Sequence, residues 1–203
     1  MLKLIFATNN QHKVEEIQAA IGNKMEVISL KLAGIHIDIP EPHDTLEANA
    51  SEKSSTINRL TGENCFSEDT GLEVTALHGE PGVKSARYAG EEKSFENNIK
   101  KLLKNLEKQA DRRARFRTVI SLIWEGKEYM FEGSCEGTIG VDPAGTMGFG
   151  YDPVFYPLGC DRSFGQMSLA EKTQFSHRKK AADKLVIFLL ARMQVVETDQ
   201  NQF

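Results

Sequence analysis

Hydrophobic and polar positions follow one another along the chain in patterns that predict strands and helices in alternation. Residues 2–7 are mostly apolar and predict a short buried strand, after which a Thr-Asn-Asn turn leads into a helix. Residues 25–30 predict a second strand. Thr45 is a good N-cap for a second helix that ends at Gly62, and residues 94–106 predict a third, amphipathic helix. This order of elements predicts an α/β fold.

In the middle of the chain, hydrophobic and polar residues alternate with the two-residue period that is typical of β-strands. Residues 114–124 and 128–139 alternate apolar and polar side chains around a Glu-Gly-Lys turn, which predicts an antiparallel hairpin. Helices would then lie on both sides of a mixed sheet. Residues 140–166 contain six glycines and three prolines and predict a long irregular loop, a feature that is usually functional in compact domains.

The end of the chain predicts one more helix, which starts after Ser176 and runs to about Val195. Residues 197–203 are polar and predict a flexible C-terminal tail. Residues 1–196 are therefore expected to form a single domain with two lobes. A chain of 203 residues with 40% hydrophobic composition is large enough to bury an ordinary core.

Charge and cysteine content narrow the possible functions. The 29 acidic residues outnumber the 25 basic ones, and the net charge of −4 has the wrong sign for a protein that coats nucleic acid. The three cysteines lack CxxC spacing and predict neither a zinc site nor disulfides. The longest apolar run has seven residues, too few for a membrane span or a signal peptide. We therefore expect a cytoplasmic protein without a nucleic-acid or membrane partner.

Basic residues fill the first turn of the last predicted helix, at His177, Arg178, Lys179 and Lys180. Backbone N–H groups already present positive charge at that end of a helix, so each basic side chain is unfavourable there by roughly 0.3–1 kcal/mol. An anionic partner would remove the conflict, since helix N-termini bind anions. The alternative is a solvated basic face with Ser176 as an ordinary N-cap.

The first strand, turn and helix offer hydrogen-bond donors from Thr8, Asn10 and Lys13. These residues lie where α/β folds usually bind phosphate, at the carboxyl end of a strand and the start of a helix. Thr8 or Asn10 could instead only cap the helix. The chain has neither a GxxxxGK[ST] nor a GxGxxG motif, which excludes P-loop and Rossmann chemistry.

Two adjacent acids, Glu68 and Asp69, are predicted to lie between two strands, because residues 72–77 alternate as a strand of their own. Together with Glu41 they could hold a divalent cation, since Mg²⁺ accepts a few carboxylates completed by water and substrate phosphates. The alternative is an Asx-type turn before Gly71.

The segment 148–153 combines two aromatic rings with flexible glycines and a carboxylate. Such a loop can stack on a heteroaromatic ring and contact its edge, although the aromatics could equally be core residues. Glu171, three residues after Ser168, predicts a capping box.

In combination these segments resemble the inosine triphosphate pyrophosphatase family, whose members include the dITP/XTP pyrophosphatases. The matching stretches are Ala-Thr-Asn-Asn-Gln-His-Lys (7–13), Ser-Glu-Asp-Thr-Gly-Leu (67–72), Pro-Gly-Val-Lys-Ser-Ala-Arg-Tyr-Ala-Gly (81–90), Gly-Phe-Gly-Tyr-Asp-Pro (148–153) and Ser-His-Arg (176–178). They span nearly the whole chain in the family's order.

The resemblance implies an elongated α/β fold, in which a mixed β-sheet flanked by helices forms two lobes around a central active-site cleft. It also implies Mg²⁺ as cofactor and a homodimer. Glu41 and Asp69 match the family's metal ligands, and Asp69 also matches its catalytic proton acceptor. The positions that match substrate-binding residues are Thr8, Asn9, Asn10, Gln11, His12, Lys13, Lys53, Thr70, Phe149, Gly150, Tyr151, Asp152, Lys172, His177 and Arg178. Many members carry consecutive acids where this chain has Glu47-Ala48, which leaves the role of Glu47 open.

The implied reaction is hydrolysis of dITP, ITP or XTP to the monophosphate and pyrophosphate, which removes these nucleotides before they enter DNA or RNA. N–H donors such as those of His177 and Arg178 would favour purines with an oxygen at C6 over adenine. Two alternatives remain open at this point. One is a related pyrophosphatase for modified pyrimidine triphosphates, and the other is a nucleotide-binding protein without catalysis.

Overall fold

A computed structural model describes the backbone of residues 2–200 and the side chains of residues 2–192. Within these residues, strands and α-helices occur in the order β1 (Leu2–Phe6), α1 (Gln11–Ile21), β2 (Met25–Ser29), α2 (Leu46–Thr61), β3 (Cys65–Val74), β4 (Pro81–Gly82), α3 (Phe95–Asn105), β5 (Arg113–Trp124), β6 (Lys127–Ile139), β7 (Phe155–Pro157), α4 (Leu169–Phe175) and α5 (His177–Gln200).

The strands form one mixed sheet in the order β2-β1-β3-β5-β6-β7, and β4 pairs with β3 off this path. Strand β1 runs parallel to β2 and β3, whereas all the other pairs are antiparallel. Helix connections join the parallel strands, and the hairpin turn joins β5 to β6, as each kind of pairing requires. The α/β class and the mixed sheet are confirmed.

Capping and turn residues fix the ends of several helices and strands where the sequence predicts them. The Thr45 hydroxyl accepts a hydrogen bond from the Ala48 N–H at 3.2 Å, and Gly62 ends α2 in the left-handed region at φ 73°. Positive φ angles at Glu125 and Gly126 form the tight hairpin turn. The capping box that begins α4 is also present.

Strand β3 is continuous, so the prediction of two strands separated by an acidic turn is wrong. All ten residues of β3 have a partner in β5, from Cys65 opposite Ile123 to Val74 opposite Ala114. This ladder outweighs the local turn preference of Asp-Thr-Gly, and the Asx-turn alternative is excluded with it. Because strand side chains alternate, Glu68 and Asp69 face opposite sides of the sheet.

Helices cover both faces of the sheet. Helix α2 packs on the face that carries Asp69, where Ser67 Oγ donates to the Ala50 carbonyl and the Ser54 and Ser121 hydroxyls are 2.6 Å apart. Helices α1 and α5 pack on the face that carries Glu68. The prediction of helices on both sides of the sheet is therefore confirmed.

Two hydrophobic clusters lie along the α5 side of β3 and β5. One cluster surrounds Phe66 and Leu122, and the other surrounds Leu72 and Phe116. The residues between them on the same faces of the two strands are polar: Glu68, Thr70, Thr118. The cleft predicted for this fold lies at this polar interruption.

The predicted loop 140–166 contains the short strand β7, which pairs with the end of β6, and 3-10 turns at 152–154 and 164–166. A three-residue strand is too short to show a period in the sequence. Helix α5 continues past the predicted end near Val195. Residues 201–203 of the predicted tail lie outside the described residues, and the domain division stays a prediction. No helix among residues 2–200 is both long and apolar enough to cross a membrane.

Gly133 in β6 allows α5 to lie close against the sheet. A Cβ added at Gly133 would lie 2.5 Å from the Ala181 nitrogen and closer still to the His177 carbonyl oxygen. We therefore expect Gly133→Ala to lower the free energy of unfolding by roughly 1–3 kcal/mol, as overpacking does. Urea denaturation measures the effect. Thr138→Ala at an exposed position of the same strand is the control, and equal effects of the two changes would contradict the tight contact.

Candidate active site

Most of the predicted site residues line one cavity at the polar interruption. This inner cavity has a volume of about 120 Å³. An outer groove of about 290 Å³ adjoins it and shares Asn10, Lys13 and Glu41 with it. Together the two spaces fall within the ~300–1,000 Å³ that is typical of small-molecule sites.

The predicted residues that line the inner cavity are Asn10, Lys13, Glu41, Asp69, Thr70, Phe149, Gly150, Tyr151, Asp152, Lys172, His177 and Arg178. The outer groove adds Thr8, Asn9 and Lys53. Two predicted residues line neither space. Gln11 donates to Glu15 on the exposed side of α1, and the His12 ring stacks on Phe149 with the ring centres 5.1 Å apart.

The start of α1 forms one end of the outer groove. Asn10 Oδ1 accepts the Lys13 N–H at 3.3 Å, and Thr8 Oγ1 accepts the Asn10 N–H at 3.2 Å. Asn10 is therefore the N-cap, as one of the sequence alternatives proposed. The groove still lies at the positive end of the helix, where an anion is stabilised.

Four basic side chains line the outer groove: Lys13, Lys53, Arg87, Lys93. The sequence patterns do not single out Arg87 and Lys93, although Arg87 belongs to the 81–90 motif. Arg87 Nη2 donates to Glu41 Oε2 at 3.4 Å, whereas its buried Nε lies 3.5 Å from Glu91 Oε2 without hydrogen-bond geometry and has no other partner among the described residues. An unpaired buried donor is costly, so a further acceptor in the groove would stabilise it.

Lys53 bridges two acids in the groove. Its Nζ donates to Glu41 Oε1 at 2.7 Å and to Asp69 Oδ1 at 3.2 Å. Burial opposes the charge on Lys53, but the attraction of Asp69 and Glu41 outweighs burial and raises its pKa. Burial raises the pKa of Asp69, whereas the pKa of Glu41 is lowered because Lys53 and the neighbouring cations outweigh its burial. Burial therefore makes Asp69 more basic than an ordinary aspartate, whereas the cations around Glu41 make it less basic than an ordinary glutamate.

The donor set around Lys53 fits Mg²⁺. Glu41 and Asp69 converge on a single cationic atom, and Asp69 Oδ2 has no hydrogen-bond partner among the described side chains. Residues 2–192 contain no group of three or more carboxylate, histidine or cysteine ligands, so protein atoms alone do not complete a site. A low count of protein oxygens completed by water and phosphate is the arrangement that Mg²⁺ prefers.

Arg178 is enclosed by carboxylates of the protein itself. Its Nε donates to Glu68 Oε2 at 2.7 Å and its Nη2 to Glu68 Oε1 at 3.0 Å, while Nη1 pairs with Glu16. Burial opposes ionisation of Glu68, but Arg178 and Lys13 outweigh it and lower the pKa of Glu68. These two carboxylates are the anionic partner expected at the start of α5, so a bound ligand is not needed to explain Arg178.

Lys172 extends the same buried network. Its Nζ donates to Glu16 Oε1 and to Asp152 Oδ2, each at 2.6 Å, and Asp152 Oδ2 also accepts the Phe149 N–H at 2.9 Å. Glu16 thus joins Lys172 to Arg178. The sequence patterns do not single out Glu16, and its only signal is an acid next to Ile17 on the buried side of α1.

His177 is held by β5. Its Nδ1 is 2.6 Å from the Thr118 hydroxyl oxygen, and its ring stacks on Phe116 with the ring centres 4.9 Å apart. Burial, reinforced by Arg178 and Lys172, lowers the pKa of His177 well below its ordinary value, so the imidazole is neutral at pH 7. The hydroxyl of Tyr151 donates to the Ser85 carbonyl at 2.8 Å and contributes a rigid wall.

A larger cavity of about 510 Å³ lies between the start of α2 and the β4 region. It contains none of the predicted site residues. Glu47 lines it and pairs with Arg117, which also binds Glu132. Glu47 therefore lies in an ion pair outside the groove that contains Glu41 and Asp69.

The sequence profile of the Ham1 family matches residues 4–188. The chain belongs to the Ham1 family. The structure of the Staphylococcus aureus Ham1 protein superposes on this Ham1 chain with a TM-score of 0.84 at 40% identity, covering 94% of this chain and 99% of that one.

Two curated relatives of this Ham1 chain are named dITP/XTP pyrophosphatase. The protein from Porphyromonas gingivalis is 49% identical over 191 residues, which is 94% of this chain and 98% of the relative. The protein from Flavobacterium johnsoniae is 46% identical over 190 residues, which is 94% of this chain and 99% of the relative. The similarity therefore extends over the cavity, the groove and the sheet that carries them.

Glu68→Gln tests the buried network of this Ham1 protein. Removing the Glu68 charge leaves Arg178 partly uncompensated, and breaking a buried pair costs about 3–5 kcal/mol of unfolding free energy. Because the pKa of Glu68 is lower in the folded protein than in the unfolded chain, Glu68 is protonated in the unfolded chain at a higher pH than in the folded protein. The stabilisation by Glu68 is therefore complete at neutral pH and is lost as the pH falls below about 4.5, the ordinary glutamate value.

Urea denaturation between pH 3 and 7 measures this dependence, and we expect the difference between wild type and Glu68→Gln to shrink at acidic pH. Glu26→Gln is the control, because Glu26 pairs with Lys3 on the surface and such pairs contribute about 0–1 kcal/mol. Equal stabilities of Glu68→Gln and wild type at pH 7 would contradict the role of the network.

Proposed function

We propose that this Ham1-family protein hydrolyses the non-canonical purine nucleoside triphosphates dITP, ITP and XTP, whose bases carry an oxygen at C6, to the monophosphate and pyrophosphate. One observation carries the proposal. The basic groove with the Glu41–Lys53–Asp69 cluster opens into the cavity that contains His177 and Arg178. The names of the curated relatives support the same substrates.

The triphosphate binds in the outer groove. Lys13, Lys53, Arg87 and Lys93 supply positive charge along it, and the N-terminus of α1 adds backbone donors. The base enters the inner cavity, where the Phe149 ring provides a stacking surface already packed on His12. The α-phosphate then lies near the junction of the two spaces, which Lys13 and Glu41 share.

Asp69 accepts a proton from the attacking water. Burial raises the pKa of Asp69 and so makes it a better proton acceptor than an ordinary aspartate, and Lys53 holds its carboxylate in place. Glu41 and Asp69 would hold Mg²⁺, which when bound neutralises charge on the pyrophosphate leaving group. Lys13 contributes to the same neutralisation because it lines both spaces, where the buried Glu68 holds its Nζ at 3.0 Å.

Selectivity arises in the inner cavity. Donors that face an oxygen at C6 are satisfied, whereas the amino group of adenine would meet them donor to donor. An unpaired buried polar group costs roughly 1–3 kcal/mol. A homodimeric assembly, implied by the family resemblance, and a cytoplasmic location, expected from the sequence, stay predictions for this chain.

A panel of triphosphates tests the substrate class. With Mg²⁺ present, we expect dITP, ITP and XTP to yield pyrophosphate with kcat/KM at least about 100-fold above those of ATP and dTTP, because more than one donor is left unpaired with adenine. Detection of pyrophosphate and of the monophosphate checks both products. Faster turnover of a modified pyrimidine triphosphate would reject the purine assignment, and binding without turnover would indicate a non-catalytic protein.

Asp69→Asn tests the general base. We expect kcat for ITP to fall by about 10²–10⁴, because proton transfer contributes that much and the amide cannot accept the proton. Circular dichroism establishes that the variant is folded. Asp142→Asn changes an exposed carboxylate in the loop after β6 in the same way and should retain the activity of the wild type. Wild-type turnover by Asp69→Asn would remove Asp69 from the mechanism.

A further inference from the structure

A series of hydrogen-bonded side chains leads from Arg178 to the imidazole of His177. Arg178 Nη2 donates to Thr70 Oγ1 at 3.4 Å, the Thr70 and Thr118 hydroxyl oxygens are 2.6 Å apart, and Thr118 Oγ1 lies 2.6 Å from His177 Nδ1. Thr70 and Thr118 are directly opposite each other in β3 and β5. None of the sequence motifs includes Thr118.

The pairing of the strands explains why Thr70, Thr118 and His177 lie so close together. Thr118 also lies opposite Gly133 of β6, where the missing Cβ lets the first turn of α5 approach the sheet. His177 is the first residue of that helix. Phe116, two residues before Thr118 on the same face of β5, stacks on the His177 ring and fixes its plane.

The hydrogen bonds between Thr70, Thr118 and His177 can run in two directions, and each direction leaves a different hydrogen free to meet a ligand. A guanidinium only donates, so Thr70 Oγ1 accepts from Arg178, and each hydroxyl has one hydrogen to give. If Thr70 donates to Thr118 and Thr118 donates to His177 Nδ1, the one hydrogen without a described acceptor is that on Nε2 of His177, which lines the inner cavity. In the opposite direction the Thr70 hydrogen has no acceptor among the described side chains.

We propose that Thr118 is a positioning residue that sets the tautomer of His177, keeping the ring proton on Nε2. The ring is neutral because burial and the nearby cations lower the pKa of His177. Nε2 has no protein partner among residues 2–192, and His177 lines the inner cavity, so Nε2–H is a donor available to a ligand there. On the proposed function, this donor favours an oxygen over an amino group at C6 of the purine.

The tautomer is measured first, without any nucleotide. Long-range ¹H–¹⁵N NMR on protein labelled at histidine separates a protonated from an unprotonated ring nitrogen, and His177→Asn assigns the signal among the five histidines. We expect Nε2 protonated and Nδ1 unprotonated in the wild type at pH 7. An Nδ1–H tautomer or an imidazolium would overturn the inference, whatever the protein hydrolyses.

Thr118→Val then removes the hydroxyl with little change in shape. We expect a mixture of His177 tautomers and a ratio of kcat/KM for ITP to that for ATP lowered by about tenfold or more, since one misdirected hydrogen bond is worth roughly that factor. Thr118→Ser retains the hydroxyl and should keep the wild-type ratio. Ser121→Ala removes another buried hydroxyl of β5, on the opposite face, and should also keep the ratio.

An unchanged ratio in a folded Thr118→Val protein would overturn the link between Thr118 and selectivity. If Thr118→Val does not fold, Thr118→Ala removes the same hydroxyl without the added methyl group, and an unchanged His177 tautomer in that variant would overturn the inference. Absence of ITP hydrolysis by the wild type would reject the proposed function and leave the tautomer measurement valid, so the two failures are distinguishable.

Discussion

Arg178 is buried, and among the described residues its charge is balanced by Glu68 from β3 and Glu16 from α1. Taking each of these ions out of water costs several kcal/mol, so each is tolerable only while its partners stay in place. Lys172 binds Glu16 in turn and brings α4 into the network. The network therefore ties α1, β3, α4 and α5 together around the inner cavity.

Strand alternation places two neighbouring acids in separate charge clusters. Glu68 and its neighbour Asp69 point to opposite faces of β3, so Glu68 enters the Arg178 network while Asp69 joins Lys53 and Glu41. If residues 68 and 69 formed a turn instead, nothing would force their side chains to point to opposite faces of the sheet. Asp69 can accept a proton or contact a cation without disturbing the pair that ties β3 to α5.

The two spaces of the cleft suit different parts of a nucleotide. The inner cavity lies where the apolar faces of β3 and β5 are interrupted, and Phe116 and Tyr151 enclose it on the side of one cluster. Hydrogen bonds made there are little screened by water and discriminate strongly between donors and acceptors. The outer groove is more polar and positively charged, as a phosphate chain requires.

The sequence by itself determined the features that depend on neighbouring residues. These are the N-caps at Asn10 and Thr45, the Gly62 stop and the β5–β6 turn, and the motifs also named most of the residues that meet in the cleft. Only the tertiary structure decided that β3 is continuous, since its ladder with β5 overrides a local turn signal. Only the tertiary structure shows that Arg178 pairs with Glu68, 110 positions away, and that Thr118 contacts His177. Such pairings depend on burial and on strand register, and neither is a property of a short stretch of chain.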